Sequence, residues 1–298
     1  MCACPWNPRL RKAWLAWILV CLLWGTTYLC IRIGLETIPP FLLAGFRWTT
    51  AGALIIAILT ARGETIPPRS EWPALTVLGI LLLGFGNGAV VWAEQTVPSG
   101  LTAVLVATVP FWMVGLDAVR TDGDVLTARR VVGLLVGFAG IVLLVWPELG
   151  HGDAHGFMKG VFASQLACAG WAVGSTYARR RTSRENVLAA AALEMFFGGL
   201  LLVAVGVLAG EWSSLAFTPR TGGALAYLIV AGSVAGFSAY VYALKHLPIA
   251  TVSVYAYVNP VIAVVLGTLI LKESFSWRMA VAAAIVLAGM ALVRDSSA

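Results

Sequence analysis

An internal repeat is the feature of this sequence that most constrains its fold. Residues 86–116 and 236–266 align without a gap at a shift of 150, and both stretches are almost purely apolar. The matching pairs are Gly86 and Gly236, Ala89 and Ala239, Val91 and Val241, Ala93 and Ala243, Pro98 and Pro248, Val104 and Val254, Pro110 and Pro260, Val114 and Val264, and Leu116 and Leu266. A hydrophobic chain built from two related halves is typical of secondary transporters, whose binding site lies between the halves.

The composition indicates that lipid surrounds most of the chain. Of its 298 residues, 60% are hydrophobic and 11% are charged, whereas soluble domains carry about 25% charged residues. The net charge of +6 comes from basic residues in short loops, which is a topology signal rather than a surface for nucleic acid. We therefore expect an integral membrane protein that contacts the lipid bilayer and does not bind nucleic acid.

Ten apolar segments are long enough to cross a membrane, since a spanning helix needs about 20 apolar residues. The runs are continuous rather than alternating, which favours helices over strands. The predicted spans are 13–34, 40–61, 73–94, 100–119, 129–146, 157–178, 187–209, 222–244, 250–271 and 276–293. The sequence thus predicts an all-α fold of ten transmembrane helices.

The repeat unit comprises five helices, because Trp24 and Arg47 lie 147 residues before Trp171 and Glu194. Five is odd, so the second half enters the membrane upside down relative to the first. We predict a first repeat at 13–146, a second at 157–294 and a linker at 147–156. With the N-terminus inside, fourteen Arg and Lys residues are cytoplasmic and five are outside, which predicts that both termini are cytoplasmic.

The linker contains His151, Asp153 and His155, which could be read as metal ligands. The glycines around them hold no fixed geometry, so we interpret the segment as a polar hinge. We expect neither a metal site nor a cofactor.

Several short motifs resemble the EamA domain. They are Trp24-Gly25-Thr26-Thr27-Tyr28, Pro40, Arg47, Gly52 and Pro110 in the first half, and Leu247-Pro248 through Asn259-Pro260, Leu271-Lys272-Glu273-Ser274 and Ala288-Gly289 in the second. The chain is similar to two such domains in tandem, which implies the ten-helix drug/metabolite transporter superfamily and a likeness to bacterial exporters of amino acids, including aromatic ones. The first half departs from the pattern at Thr121-Asp122-Gly123-Asp124, where the second has Lys272-Glu273.

The candidate cavity residues are charged, amide or aromatic side chains deep in the predicted helices. Arg47 and Glu194 are the rarest, because a charge near the bilayer centre costs roughly 2.5–3.5 kcal/mol on insertion scales. Their depths differ by about 10 Å, so we expect a cavity or structural pairing with other groups rather than a direct ion pair. The full set is Trp24, Tyr28, Arg47, Asn87, Trp92, Trp112, Trp171, Glu194, Tyr240, Tyr255, Tyr257 and Asn259.

The aromatic members of this set have two interpretations. A wall of Trp and Tyr holds planar or cationic molecules by stacking and cation–π contacts, but any single ring could instead face lipid or pack in the core. Trp24 and Trp171 are favoured for the cavity because the repeat places them equivalently.

Two prolines at matched positions are expected to kink their helices. Pro110 and Pro260 fall at matched mid-helix positions, where each removes a backbone hydrogen bond. The resulting kink has two interpretations: it frees a backbone carbonyl to bind substrate, or it only shapes the helix to pack in the bundle.

The glycine pairs at 84 and 88 and at 232 and 236 have the spacing of close helix packing. Glu94 and Asp117 lie near predicted helix ends, so we expect them to be solvated.

The absence of several sequence motifs excludes or weakens some classes of function. The sequence has no G-x-x-x-x-G-K-[ST] run, which excludes ATP-driven transport by this chain, and neither H-E-x-x-H nor G-x-S-x-G, which weakens an enzymatic interpretation. A single deep cation disfavours phosphorylated substrates. We expect an inner-membrane exporter of small metabolites, foremost aromatic or neutral amino acids. The alternatives are a multidrug exporter or importer of the same superfamily, or a membrane enzyme or scaffold without transport.

Overall fold

The computed structural model describes residues 8–118, 127–146, 154–179, 186–247, 249–252 and 254–294. Residues 121–124, where the first half departs from the family pattern, and most of the predicted linker lie outside the described residues. The part of the chain that is described forms helices and turns, without a β-strand.

Ten long helices follow one another in the described part of the chain. The first five are α1 (Pro8–Gly34), α2 (Pro40–Ala61), α3 (Arg69–Ala93), α4 in two segments (Ser99–Val106 and Val109–Ala118) and α5 (Ala128–Val145). The second five are α6 (Ala154–Arg179), α7 (Val187–Leu208), α8 (Pro219–His246), α9 in two segments (Ile249–Val252 and Tyr255–Ile270) and α10 (Trp277–Arg294). The prediction of an all-α membrane protein with ten helices is confirmed.

Length and composition allow most of these helices to cross a bilayer. Seven of the described helices, α1 to α5, α7 and α8, combine at least 18 residues with high hydropathy. The apolar stretches Tyr255–Ile270 of α9 and Trp277–Leu292 of α10 are shorter. α6 is 26 residues long with more polar side chains. The chain is therefore a multi-pass membrane protein.

Helix packing repeats between the two halves. α2 packs along α7 and α5 packs along α10. α1 packs against α8 and α9, while α6 packs against α3 and α4, and α2 meets α8 as α7 meets α3. When five is added to each helix number, counting on from ten to one, every one of these contacts becomes itself or another of them, so the contact pattern of the first half recurs in the second.

Glycines bring the helix backbones together at these crossings. A Cβ atom built on Gly52 of α2 would lie 2.5 Å from the carbonyl oxygen of Ala192 on α7. One built on Gly289 of α10 would lie 2.5 Å from the amide nitrogen of Gly137 on α5. Small residues permit such contacts, and here they connect the first half to the second.

Two glutamates from distant turns cap helix N-termini. The Glu211 carboxylate accepts from the amides of Phe41 (3.3 Å) and Leu42 (2.9 Å) at the start of α2. The Glu273 carboxylate accepts from the Ser99 amide (2.8 Å), the Ser99 hydroxyl (3.0 Å) and the Gly100 amide (3.3 Å) at the start of α4. Anions are stabilising at helix N-termini, so both acids hold the ends of core helices.

Candidate functional site

Arg47 lies inside the bundle with polar and aromatic partners. Its side chain is 4% exposed, and Nε donates a 3.0 Å hydrogen bond to the Ser233 hydroxyl on α8. The guanidinium carbon lies 4.2 Å from the ring centroid of Trp48. No ion pair joins Arg47 to Glu194 among the described residues.

An aromatic cluster lies next to this arginine. Trp24 of α1 contacts Phe237 (5.2 Å between ring centroids) and Tyr240 (5.1 Å) of α8, and Tyr255 (4.9 Å) of α9. Edge and tilted contacts of this kind are favoured by the ring quadrupoles. The predicted residues Trp24, Tyr240 and Tyr255 are thus brought together at the meeting of three helices.

The backbone of α8 links the arginine to the aromatic cluster. The Trp24 indole nitrogen donates to the Gly232 carbonyl over 3.0 Å, and the next residue, Ser233, binds Arg47. Gly232 is required by this approach, because a Cβ there would lie 2.9 Å from Thr27 Cγ2 and 3.4 Å from Arg47 Nη2. Arg47 and the aromatic cluster are therefore connected through adjacent residues of α8.

Both linking residues belong to a π-helical segment of α8, Leu228–Ala235. α3 contains a second π-helical segment of the same length, Ile80–Asn87, which ends at the predicted residue Asn87. Wide π turns alter the backbone hydrogen-bond register and are frequent at functional sites. Hydropathy alone does not reveal π turns, so these two segments were not predictable from the sequence.

The two tryptophans matched by the repeat occupy equivalent places. A Cβ built on Gly236 would lie 2.6 Å from Trp24 Nε1, and one built on Gly86 would lie 3.2 Å from Trp171 Cε3. Trp24 of α1 thus packs on Gly236 of α8, and Trp171 of α6 packs on Gly86 of α3. The repeat aligns these two glycines with each other. The equivalence of Trp24 and Trp171 is visible in the packing of both halves.

The break in α4 is surrounded by polar groups. Pro110 is the second residue of the second segment, and the Cys168 thiol donates to the carbonyls of Leu105 (3.6 Å) and Val106 (3.8 Å). Gln165 Oε1 accepts from the Thr108 hydroxyl (3.2 Å) and from the Trp112 indole (3.0 Å). The carbonyls near this proline are therefore bonded to α6 in the described conformation.

Pro260 has different surroundings, because it lies inside the continuous segment Tyr255–Ile270. The break in α9 comes earlier, after Val252. With its amide nitrogen turned toward α1, Asn259 donates to the carbonyls of Cys21 and Tyr255, both at 3.1 Å. Asn259 thus ties α9 to α1 beside the aromatic cluster.

The remaining predicted residues are more dispersed. Tyr28, Trp92, Glu194 and Tyr257 are half-buried on α1, α3, α7 and α9. A groove of about 650 Å³ opens between α3, α6 and α7 near the start of α2, and Trp92 is the one predicted cavity residue among its described lining. Its walls include the exposed side chains of Phe85 and Phe162, so this groove opens on the outer surface of the bundle.

Glu94 contradicts its expected solvation. The residue directly follows α3, yet it is 0% exposed, and neither carboxylate oxygen has a hydrogen-bond partner among the described residues. Position near a helix end suggested water contact, but the turn is covered by other helices. Sequence reasoning therefore missed the most buried acid of the described chain.

Comparisons with known proteins agree with this architecture. A family model described as the EamA-like transporter family matches residues 11–146 and 158–294. An uncharacterized inner membrane transporter, YedA of Escherichia coli (strain K12), is 39% identical over 86% of this chain and 81% of its own length. Protein PecM of Dickeya dadantii is 27% identical over 92% of this chain and 89% of its own length.

A crystal structure supports the fold independently. It is similar over 96% of this chain and 97% of its own, with a TM-score of 0.65 and 25% sequence identity. The similarity covers both halves of the repeat.

Proposed function

Since the chain belongs to the EamA-like transporter family, we propose that it exports small metabolites across the inner membrane, foremost amino acids of aromatic or neutral type. A transport role follows from the family. The substrate class and the direction are the proposal.

The observation that carries this proposal is the junction of Arg47 with the aromatic cluster. A guanidinium binds a carboxylate through charge-assisted hydrogen bonds, and Trp24, Tyr240 and Tyr255 offer apolar ring faces and edges. An aromatic amino acid presents a carboxylate at one end and a planar group at the other. The site therefore matches both ends of such a molecule.

The same chemistry disfavours phosphorylated substrates. A phosphate carries up to two negative charges and three acceptor oxygens, which several cations usually bind. The site described here presents a single guanidinium beside the aromatic rings, already shared with the Ser233 hydroxyl. One carboxylate is the anion that this arrangement suits.

Alternating access follows from the repeat. Two inverted halves can adopt two arrangements that are near mirror copies, which expose a central site first to one side and then to the other. The π segments of α3 and α8 and the break in α4 are places where the backbone departs from α-helical bonding. We propose that these segments adjust as the halves rock, with both termini in the cytoplasm.

Ligand binding by the purified protein tests the site. We expect phenylalanine to bind and phenethylamine, which lacks the carboxylate, to bind weakly. Arg47→Ala removes the charge-assisted bond, worth about 1.5–3 kcal/mol, and should weaken phenylalanine binding by roughly 10–100-fold. Arg47→Lys keeps the charge but loses the planar fork, so we expect partial recovery.

Arg220 provides the matched control, because it is an exposed arginine that pairs with Glu36 over 3.1 Å. Arg220→Ala should bind phenylalanine as the wild type does. Equal affinities of phenylalanine and phenethylamine, or an undiminished affinity in folded Arg47→Ala protein, would return Arg47 to a purely structural role.

A further inference from the structure

Glu94 is a buried acid in the turn that follows α3. Its carboxylate is 0% exposed and has no hydrogen-bond partner among the described residues. An ionised carboxylate in such a place is costly, and proteins avoid the cost by neutralising it or by letting water reach it. The residue is therefore suited to change its charge when the structure around it changes.

The groups around Glu94 come from several helices. The Arg32 guanidinium of α1 donates to the backbone carbonyl of Glu94, and the charges of Arg32, Glu273 and Arg47 act on the carboxyl group. Tyr28 and Cys30 of α1 lie within its electrostatic reach. Glu94 thus lies within electrostatic range of Arg47 in the proposed substrate site.

The other neighbouring elements leave the carboxylate unpaired. The Glu273 carboxylate is engaged with the start of α4. α6 presents Gly160 to the turn after α3, since a Cβ there would lie 2.5 Å from Thr96 Oγ1. The nearby α6 residues His155 and Lys159 are exposed and line the groove. The turn is consequently closed by packing rather than by an ion pair.

The repeat shows that the fold does not need an acid here. The alignment at a shift of 150 matches Glu94 with Leu244, and it matches Pro98 with Pro248 four residues later. Leu244 packs in an apolar cluster with Ala13 and Leu247. Leu244 lies inside α8, so the corresponding position of the second half carries no carboxylate, and Glu94 distinguishes the two halves of the bundle.

We propose that Glu94 is the proton-binding group of a substrate–proton exchange, an inference that rests on the proposed transport function. When this end of the bundle is open, the carboxylate takes a proton from the adjacent water and forms an O–H bond. The neutral acid lets the end close. After the bundle reverses, the O–H bond breaks and the proton passes to water that reaches the carboxyl group from the other side of the membrane, through the opened site beside Arg47. Nothing is oxidised or reduced, and the proton moves against the substrate.

Proteoliposomes loaded with phenylalanine and a pH-sensitive dye test the exchange, with the membrane potential clamped by potassium and valinomycin. Wild-type protein should acidify the lumen as phenylalanine leaves. Glu94→Gln should exchange labelled phenylalanine but reduce acidification by about tenfold or more, because an amide does not take up the proton. Glu94→Asp should restore acidification in part.

Glu36→Gln is the matched control, since Glu36 is an exposed acid paired with Arg220, and it should acidify like the wild type. Phenylalanine movement without acidification in the wild type, or wild-type acidification in Glu94→Gln, would overturn the proposal while leaving transport intact. If phenylalanine does not move in the wild type, the proposed substrate is wrong. A substrate-free titration then tests whether Glu94 binds a proton.

A substrate-free titration tests the proton site by itself. Trp92 lies two residues before Glu94, so its fluorescence should report the charge state of the turn. We expect a pH-dependent fluorescence change in the wild type and in Glu36→Gln that Glu94→Gln lacks. Superimposable curves for the wild type and Glu94→Gln would overturn the proposal.

Discussion

Adding one methyl group at Gly52 should separate the two halves of the bundle. The Cβ of Gly52→Ala would lie 2.5 Å from the Ala192 carbonyl oxygen and 2.6 Å from the Phe196 amide nitrogen. Close C···O contacts in proteins are about 3.3–3.6 Å, so α2 and α7 would have to move apart by about 1 Å. Both obstacles are backbone atoms, which cannot rotate away as a side chain can.

The size of the effect follows from two opposing contributions. Replacing glycine by alanine in a helix gains about 0.8–1 kcal/mol, whereas inserting a methyl group into a packed interface costs about 1–3 kcal/mol. Gly223→Ala on α8 is the matched control, because a Cβ there has no neighbour within 4 Å. The control should gain only the higher helix propensity of alanine, without the packing cost. The free energies of unfolding of the two variants should therefore differ by about 1–3 kcal/mol.

Thermal unfolding in one detergent, followed by tryptophan fluorescence, measures this difference. We expect the order of stability to be Gly223→Ala at or above the wild type, and Gly52→Ala below it. A larger substitution, Gly52→Val, should lower the midpoint further. Equal midpoints for Gly52→Ala and Gly223→Ala would refute backbone contact between α2 and α7.

Three further predictions address topology, capping and specificity. A reporter fused after Arg294 should be cytoplasmic, as the basic residues indicate; a periplasmic reporter would contradict the orientation. Glu273→Gln should lower stability by about 0.5–2 kcal/mol, because the cap of α4 loses its charge, while Glu36→Gln in the same unfolding assay should have little effect. Trp171→Ala should change the order of preference among transported amino acids, and unchanged rates and order would exclude Trp171 from the substrate path.

The helices were largely predictable because lipid imposes continuous apolar segments. The predicted span 40–61 coincides with α2, Pro40–Ala61, where a proline marks the helix start. The π segments and the break in α4 were not predictable from hydropathy, because an apolar run carries no information about its hydrogen-bond register. α1 begins at Pro8 rather than 13, since its basic first turns remain helical.

The types of residue in the candidate site were predictable from the sequence, but the contacts between them were not. Trp24, Tyr240 and Tyr255 were recognised as deep aromatics, and the structure brings them together. The partner of Arg47 is Ser233, 186 residues away in sequence, which no local pattern indicates. Glu94 was wrongly expected to be solvated, because its burial depends on α1, α4 and α6, which tertiary packing brings over the turn.

Efflux from proteoliposomes tests the central claim most directly. Vesicles containing the purified protein are loaded with labelled phenylalanine, tryptophan, methionine or threonine, and in a parallel set with a sugar phosphate. Arg47→Ala protein, reconstituted in equal amounts, is the comparison. We predict efflux of at least one amino acid, strongly reduced by Arg47→Ala, and no efflux of the sugar phosphate. Movement of the sugar phosphate alone, or equal amino-acid efflux with and without the Arg47 side chain, would contradict the account.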